Sequence, residues 1–212
     1  MESANRIAFK EWAVVCAALA SGRQSLILRK GGIHEGHDGF RVAHREFWLF
    51  PTGFHQEPDS VVSTARPLLA QILNQQPPMD EVHIRHYVAV NEVIEVHDES
   101  RLLQLGPWHI WSERTVHDRF HYKTPGLFVM LARVYELPEP VRIPVSPHND
   151  VENPDELTGS VPSISRRSSV SLIFPLNRTL PSSITTGTHV PNRSTKSRSE
   201  RISISSATGS HE

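Results

Sequence analysis

Aromatic side chains are spread so unevenly along this chain that they limit how much of it can fold around a core. Of its eight Phe, four Trp and three Tyr, Phe174 alone lies after position 145. Aromatic residues bring the largest apolar areas to an interior, so residues 1–145 are expected to form one globular domain. A chain of 212 residues accommodates this as a single unit. A domain of that size buries about two-thirds of its unfolded surface, which suffices without disulfides or metals. Residues 146–212 are rich in Ser and Thr and cannot bury enough apolar surface to offset ordering entropy, so a disordered tail is expected there.

Charge follows the same division. Residues 1–145 hold 15 Lys/Arg against 17 Asp/Glu, whereas residues 157–212 hold 7 against 2. The tail is therefore basic and the domain slightly acidic, which argues against strong nonspecific binding of the domain to DNA. Cys16 is the single cysteine, so an intrachain disulfide and a Cys-rich zinc site are excluded, and a reducing compartment is expected. The apolar run Trp12–Ala20 is too short for a membrane span and lacks a basic leader. A cytoplasmic protein without membrane association is the reading that follows.

Phe9, Trp12, Cys16 and Leu19 recur at helical spacing, predicting a first helix that Gly22 ends. Ser25–Arg29 and Glu46–Phe50 read as strands, the second halted by Pro51, and are expected to pair with one another. Between them His34–His44 is polar and Gly-rich, hence a loop. Helical pattern from Ser60 to Gln75 is divided at Pro67, which suits the first turn of a second piece. Val82–Val96 predicts a long strand or a bent pair. Glu99–Leu105 predicts a short helix stopped at Gly106 and Pro107, and Ser112 an N-cap for a helix reaching about Phe120. Leu127–Tyr135 is the strongest strand signal and needs cover on both faces, after which Leu137–Pro144 is expected to leave the domain. The alternation predicts an α+β, or mixed α/β, fold with helices packed on a small mixed sheet.

Polar residues cluster at the ends of the first two strands. Arg29 and Lys30, followed by Gly31 and Gly32, form a turn of a kind that presents cations and backbone N–H groups to phosphate, although it matches no P-loop or dinucleotide fingerprint. His55 beyond the second strand has the position of a general base, with Gln56 beside it. The segment Trp108–Lys123 interleaves aromatics with cations, including Arg119 and Lys123, as surfaces that stack bases do. A buried amphipathic helix explains the same spacing. Arg133, inside the most apolar strand, is expected to be paired or aimed at a site.

Ten of thirteen histidines lie between His34 and His121, but their spacings argue against metal. His83 and His86 fall on opposite faces of a strand, and His117 and His121 lack a neighbouring Glu to complete a metalloprotease helix. Neither metal nor cofactor is expected. A restriction-type nuclease site is also absent, since no Glu-x-Lys follows an acidic strand end. Gly53 and Asp59 match the opening of a Nudix box, yet residues 66–72 carry no carboxylate for magnesium.

Five segments together resemble an uncharacterised bacterial family, a domain of unknown function. They are Lys10–Val14, Leu28–Ile33, Phe47–Thr52 with His55 and Gln56, Ile110 with Trp111, and Arg133–Tyr135, spanning residues 8–145. The resemblance carries no known activity. Its relatives' association with restriction-type endonucleases implies a role in handling nucleic acid, linked to restriction or mobile-element systems. The leading expectation is thus a binding or accessory domain for nucleic acid or a nucleotide, with Arg29, Lys30, Gln56, Arg119, Lys123 and Arg133 lining the ligand surface. A phosphoester or nucleotide hydrolase on a Nudix-like scaffold, with His55 as base, and a protein-interaction module without catalysis are the alternatives. Whether the chain is an enzyme stays open at this point.

Overall fold

Two long antiparallel strands, β5 (Glu81–Val96) and β6 (Leu127–Pro144), form the spine of the structure. The computed structural model describes residues 4–30, 44–53, 56–75, 77–78 and 80–144, with the short segments 156–158, 164–165, 171–174 and 188–189. The loop expected from His34 lies outside the described residues except for His44, and so does most of the expected tail. Leu127–Ala132 is buried without a break, so the apolar run has its cover. β5 is one strand, bent by register shifts between Ile84 and His86 and between Val90 and Glu92. Such bulges sharpen local twist and shift which residues face the core, which explains why the alternation in 82–96 is partial.

The end of β6 corrects one expectation. Val141–Pro144 does not leave the domain but pairs with Glu81–Ile84 of β5. Pro138 and Pro140 fall in the stretch between Glu136 and Val141 that the register shift skips, where a missing N–H breaks no ladder bond.

The N-terminus corrects another. Phe9 and Trp12 belong to a strand, β2 (Ile7–Trp12), after the two-residue β1 (Ala4–Asn5), and helix α1 runs only over Ala13–Ala20. In β2, Phe9 stacks on Phe47 with ring centroids 4.1 Å apart. Helix α1 is apolar all round, with Val14, Val15, Cys16, Ala18 and Leu19 buried, as suits a helix enclosed on every side. The three-and-four spacing across Trp12 therefore reported no helical face. Gly22 does follow the helix end, at φ 69°, where a side chain would be strained. Burial raises the pKa of the Cys16 thiol, with the nearby Glu11 carboxylate adding to the effect.

Strand β3 (Leu26–Arg29) pairs with β6, not with β4 (Glu46–Thr52) as expected. β4 instead lies between β5 and β2, antiparallel to the first and parallel to the second. It runs through Pro51, beyond the three residues that pair with β5. The central order is β3-β6-β5-β4-β2, a mixed sheet packed with helices in one α+β domain. Short segments extend it: β7 (Glu156–Thr158) on β2, β9 (Ser171–Phe174) on β6 and β10 (Thr188–His189) on β5, while β8 (Ile164–Ser165) pairs with β1.

The buried apolar residues form two clusters. Phe47, Leu49, Val88 and the run 127–132 pack with α1 and the other helices, and Ala8, Trp48, Phe50, Tyr87 and Ile143 form a second cluster. The sheet also curls. Arg29 on edge strand β3 donates to the carbonyl of Lys10 on β2 (3.1 Å) and lies 5.1 Å from the Phe9 ring centroid. β7 covers only Ile7–Phe9 of β2, so the side chain takes over where that ladder stops.

The remaining helices follow their punctuation. α2 (Arg66–Asn74) carries Pro67 in its first turn after two short 3-10 turns at 58–60 and 63–65. α3 (Glu99–Leu103) ends before Gly106, and α4 (Glu113–His121) is capped by Ser112. Among the described residues no helix is long and apolar enough to cross a membrane.

Among the described residues, the buried members of both core clusters fall within residues 8–143. A chain ending at Pro144 is therefore expected to keep one cooperative thermal transition, at a lower Tm because the pairs made by β7, β9 and β10 are gone. Calorimetry of the truncated chain checks this, and a broad, non-cooperative melt would move the domain boundary into the tail.

Candidate ligand-binding cleft

Helix α4 begins where two segments are laced together. The Ser112 hydroxyl accepts from the Thr115 N–H (3.3 Å) and donates to the Asp59 carbonyl (2.7 Å), while Thr115 Oγ1 donates to the Ser60 carbonyl (2.9 Å). Backbone bonds from Val62 to Ile110 and from Ser112 to Ser60 complete the joint. Helical spacing then turns Val116 and Phe120 inward and leaves Arg119 half-buried. Its guanidinium stands 4.9 Å from the ring centroids of both Trp12 and Trp111, and Nη1 reaches the Leu28 carbonyl at 3.4 Å. Cation–π contacts contribute about 0.5–2 kcal/mol each according to exposure, so this arginine joins β2, β3 and α4.

Beside it opens a cleft of about 390 Å³, walled by Trp12, Arg119 and Tyr122 and lined with the polar groups of Glu57, Ser60, Thr115 and Asp118. Tyr122 is 59% exposed, unusual for a large aromatic here. Lys123 follows at φ 58°, a left-handed residue that ends the helix, and its ammonium lies 5.3 Å from the Tyr122 ring centroid. The helix end is held by Lys30, whose ammonium donates to the carbonyls of Phe120 (2.7 Å), Gly126 (3.0 Å) and Thr124. Gly126 adopts φ 134°, and a Cβ there would come within 3.0 Å of the His97 ring.

A family model described as "Domain of unknown function (DUF1802)" matches residues 8–154. The chain belongs to the DUF1802 family. The expected resemblance to a family of unknown function is thereby borne out. No curated protein matches the chain. Among solved structures, the crystal structure of ASCH from Zymomonas mobilis is similar at 14% identity and TM-score 0.38, over 67% of this chain and 73% of that one. A mutant of the same protein gives 12% identity and TM-score 0.41, over 72% and 88%.

In this DUF1802 domain, Arg29, Lys30, Arg119 and Lys123 gather around α4 and the end of β3. Arg29 donates to the Lys10 carbonyl and Lys30 to those of Phe120, Thr124 and Gly126, so both cations tie backbone together at this end of β3. Gln56 lies next to the cleft, but its Oε1 accepts from the Val14 N–H (2.9 Å) and its amide donates to the Thr52 carbonyl (2.9 Å). It caps α1 from outside the helix, where no side chain of the helix's own does so. His55, Gly31 and Gly32 lie outside the described residues. Arg133 stands apart: it is exposed, opposite Ala89 on β5. Asp59, which matches the opening of a Nudix box in sequence, pairs with Arg66 at 2.9 Å on the surface.

Sequence reasoning missed Trp12, Glu57, Asp118 and Tyr122, which β2, the 57–62 segment and the end of α4 bring together from distant positions. It also missed a buried polar knot behind the Arg119 sandwich. His109 is 6% exposed with both ring nitrogens unpartnered, as are the indole N–H groups of Trp108 and Trp111. Its ring lies 5.6 Å from that of Trp111. Burial pushes the His109 pKa down to about 4, aided by the Arg119 charge and partly offset by the Trp111 backbone, which lies outside good hydrogen-bond geometry.

Because the folded state holds His109 neutral while the unfolded chain protonates it near its ordinary pKa, stability is full above about pH 6.5 and falls as pH drops towards about 4. His86, likewise lowered mainly by burial, adds to the same trend. Between about pH 7 and about pH 5 the His109 share is about 2 kcal/mol. Urea midpoints measured across this window are expected to fall less for His109→Leu than for the native chain. Gln56→Ala should cost about 1–3 kcal/mol at any pH, since it strands a buried N–H. An equal acid loss in both proteins would show that His109 is not held neutral.

Proposed function

We infer that this domain binds single-stranded nucleic acid by drawing an unstacked base into the α4 cleft. The observation that carries the reading is the pairing of an exposed aromatic face, Tyr122, with carboxylates in the same cleft. A base presents a flat π surface and an edge of amino and imino donors, and Glu57 and Asp118 are acceptors of the right kind for that edge. Phosphate would be repelled by the same carboxylates, so the base and not the backbone enters. Lys123 beside Tyr122 is placed to take the adjoining phosphate. Recognition is local, in keeping with a domain that has no excess of cations and gains little from counterion release. The expected role is that of a binding or accessory module acting in the cytoplasm.

Fluorescence anisotropy with labelled single-stranded RNA and DNA of about twelve nucleotides tests this. Stacking on aromatic side chains contributes about 1–3 kcal/mol per base, so Tyr122→Ala should weaken binding by roughly five- to a hundredfold. It should leave the melting temperature nearly unchanged, because the ring is exposed. Lys123→Gly keeps the left-handed backbone while removing the charge, and should reduce the salt slope by about one. Binding that is undetectable at about millimolar protein, or unaltered in Tyr122→Ala, would rule the cleft out.

A further inference from the structure

We propose that Glu99, His117 and His121 form a binding site for a divalent transition-metal ion of the zinc type, bridging α3 and α4. The two histidines are one turn apart on α4, and Glu99 opens α3, whose start is fixed by Asp98 accepting from the Ser100 N–H (3.0 Å). Each carboxylate oxygen meets one ring: Oε1 lies 2.7 Å from His117 Nδ1 and Oε2 lies 3.1 Å from His121 Nε2. The ring centroids are 4.4 Å apart, and one ligand atom from each of the three residues lies within 4.8 Å of the others.

In sequence no neighbouring Glu completes a metalloprotease helix around this histidine pair. The missing acid is supplied across the fold, from 18 and 22 residues away, where no local motif would show it. Two imidazole nitrogens converging on one carboxylate is the donor set of a two-His-one-carboxylate zinc site. Tetrahedral zinc with bonds of about 2.0–2.2 Å needs its ligand atoms roughly 3.4 Å apart, a small inward adjustment of exposed side chains. Imidazole with carboxylate suits zinc, copper or nickel over calcium or magnesium. Both histidines are about half-exposed, so water completes the coordination.

At about 100° per residue, His117 and His121 lie on the side of α4 opposite Thr115, Arg119 and Tyr122. The ion would therefore act as a clasp between two short helices, remote from the cleft, and its binding is independent of the nucleic-acid reading.

The test is titration of the full chain with zinc chloride by calorimetry, with cobalt as a spectroscopic substitute. One equivalent is expected to bind first and raise Tm, and cobalt should give visible ligand-field bands. His117→Ala, His121→Ala and the near-isosteric Glu99→Gln should each weaken binding at least tenfold, whereas His97→Ala should not. Should a variant fail to fold, imidazole NMR of the native chain decides, since zinc must perturb two histidine rings first and those of α4. No uptake at about 100 µM zinc, undiminished uptake in His117→Ala, or first perturbation of other histidines would overturn the site.

Discussion

Cations aimed at backbone carbonyls hold this fold closed. The central sheet ends in β3 on one side and β2 on the other, and β7 covers only Ile7–Phe9 of β2, so side chains reach across where that ladder stops. Arg29 answers Lys10, Arg119 answers Leu28, and Lys30 gathers the carbonyls at the end of α4 and the start of β6. A charged donor to a carbonyl is stronger than a neutral one, and each of these side chains spans a gap that a peptide N–H could not. With the edges joined, α1 is enclosed and α4 is pinned over the seam. The position of the cleft follows from that closure, because Trp12 comes from the strand at one edge and Tyr122 from the helix laid across it.

Much of this architecture could be read from residue order. Pro67, Ser112, Gly22 and the Gly106–Pro107 pair mark helix boundaries by mechanisms that act within a turn or two, and the structure agrees with them. Failures occurred where the deciding partner is remote. Phe9 and Trp12 have helical spacing, yet parallel pairing with β4 draws them into a strand. Leu26–Arg29 and Glu46–Phe50 look like hairpin partners because they are neighbours in sequence, but the curl of the sheet places β3 beside β6. The candidate site shows the same division. Arg119 and Lys123 were visible as cations among aromatics, whereas the purpose of Arg29, Lys30 and Gln56 depends on which carbonyl or N–H lies opposite, and this no spacing encodes.

Helix α4 divides two surfaces of unlike chemistry. One side offers an aromatic ring, carboxylates and hydroxyls around an open cavity; the other offers imidazoles against Glu99. Nine residues suffice for both because the buried stripe, Val116 and Phe120, is narrow. That economy makes the helix sensitive to its ends, where Ser112 at the start and Lys30 at the finish supply what so short a helix cannot provide from its own propensity.

The fully enclosed Cys16 has a practical consequence. Its thiol is the only one in the chain, and burial keeps it protonated and out of reach of alkylating reagents. A second cysteine placed on the surface would then be the one nucleophilic sulfur available, so dyes or spin probes can be attached at chosen points around α4 without first engineering a thiol-free background.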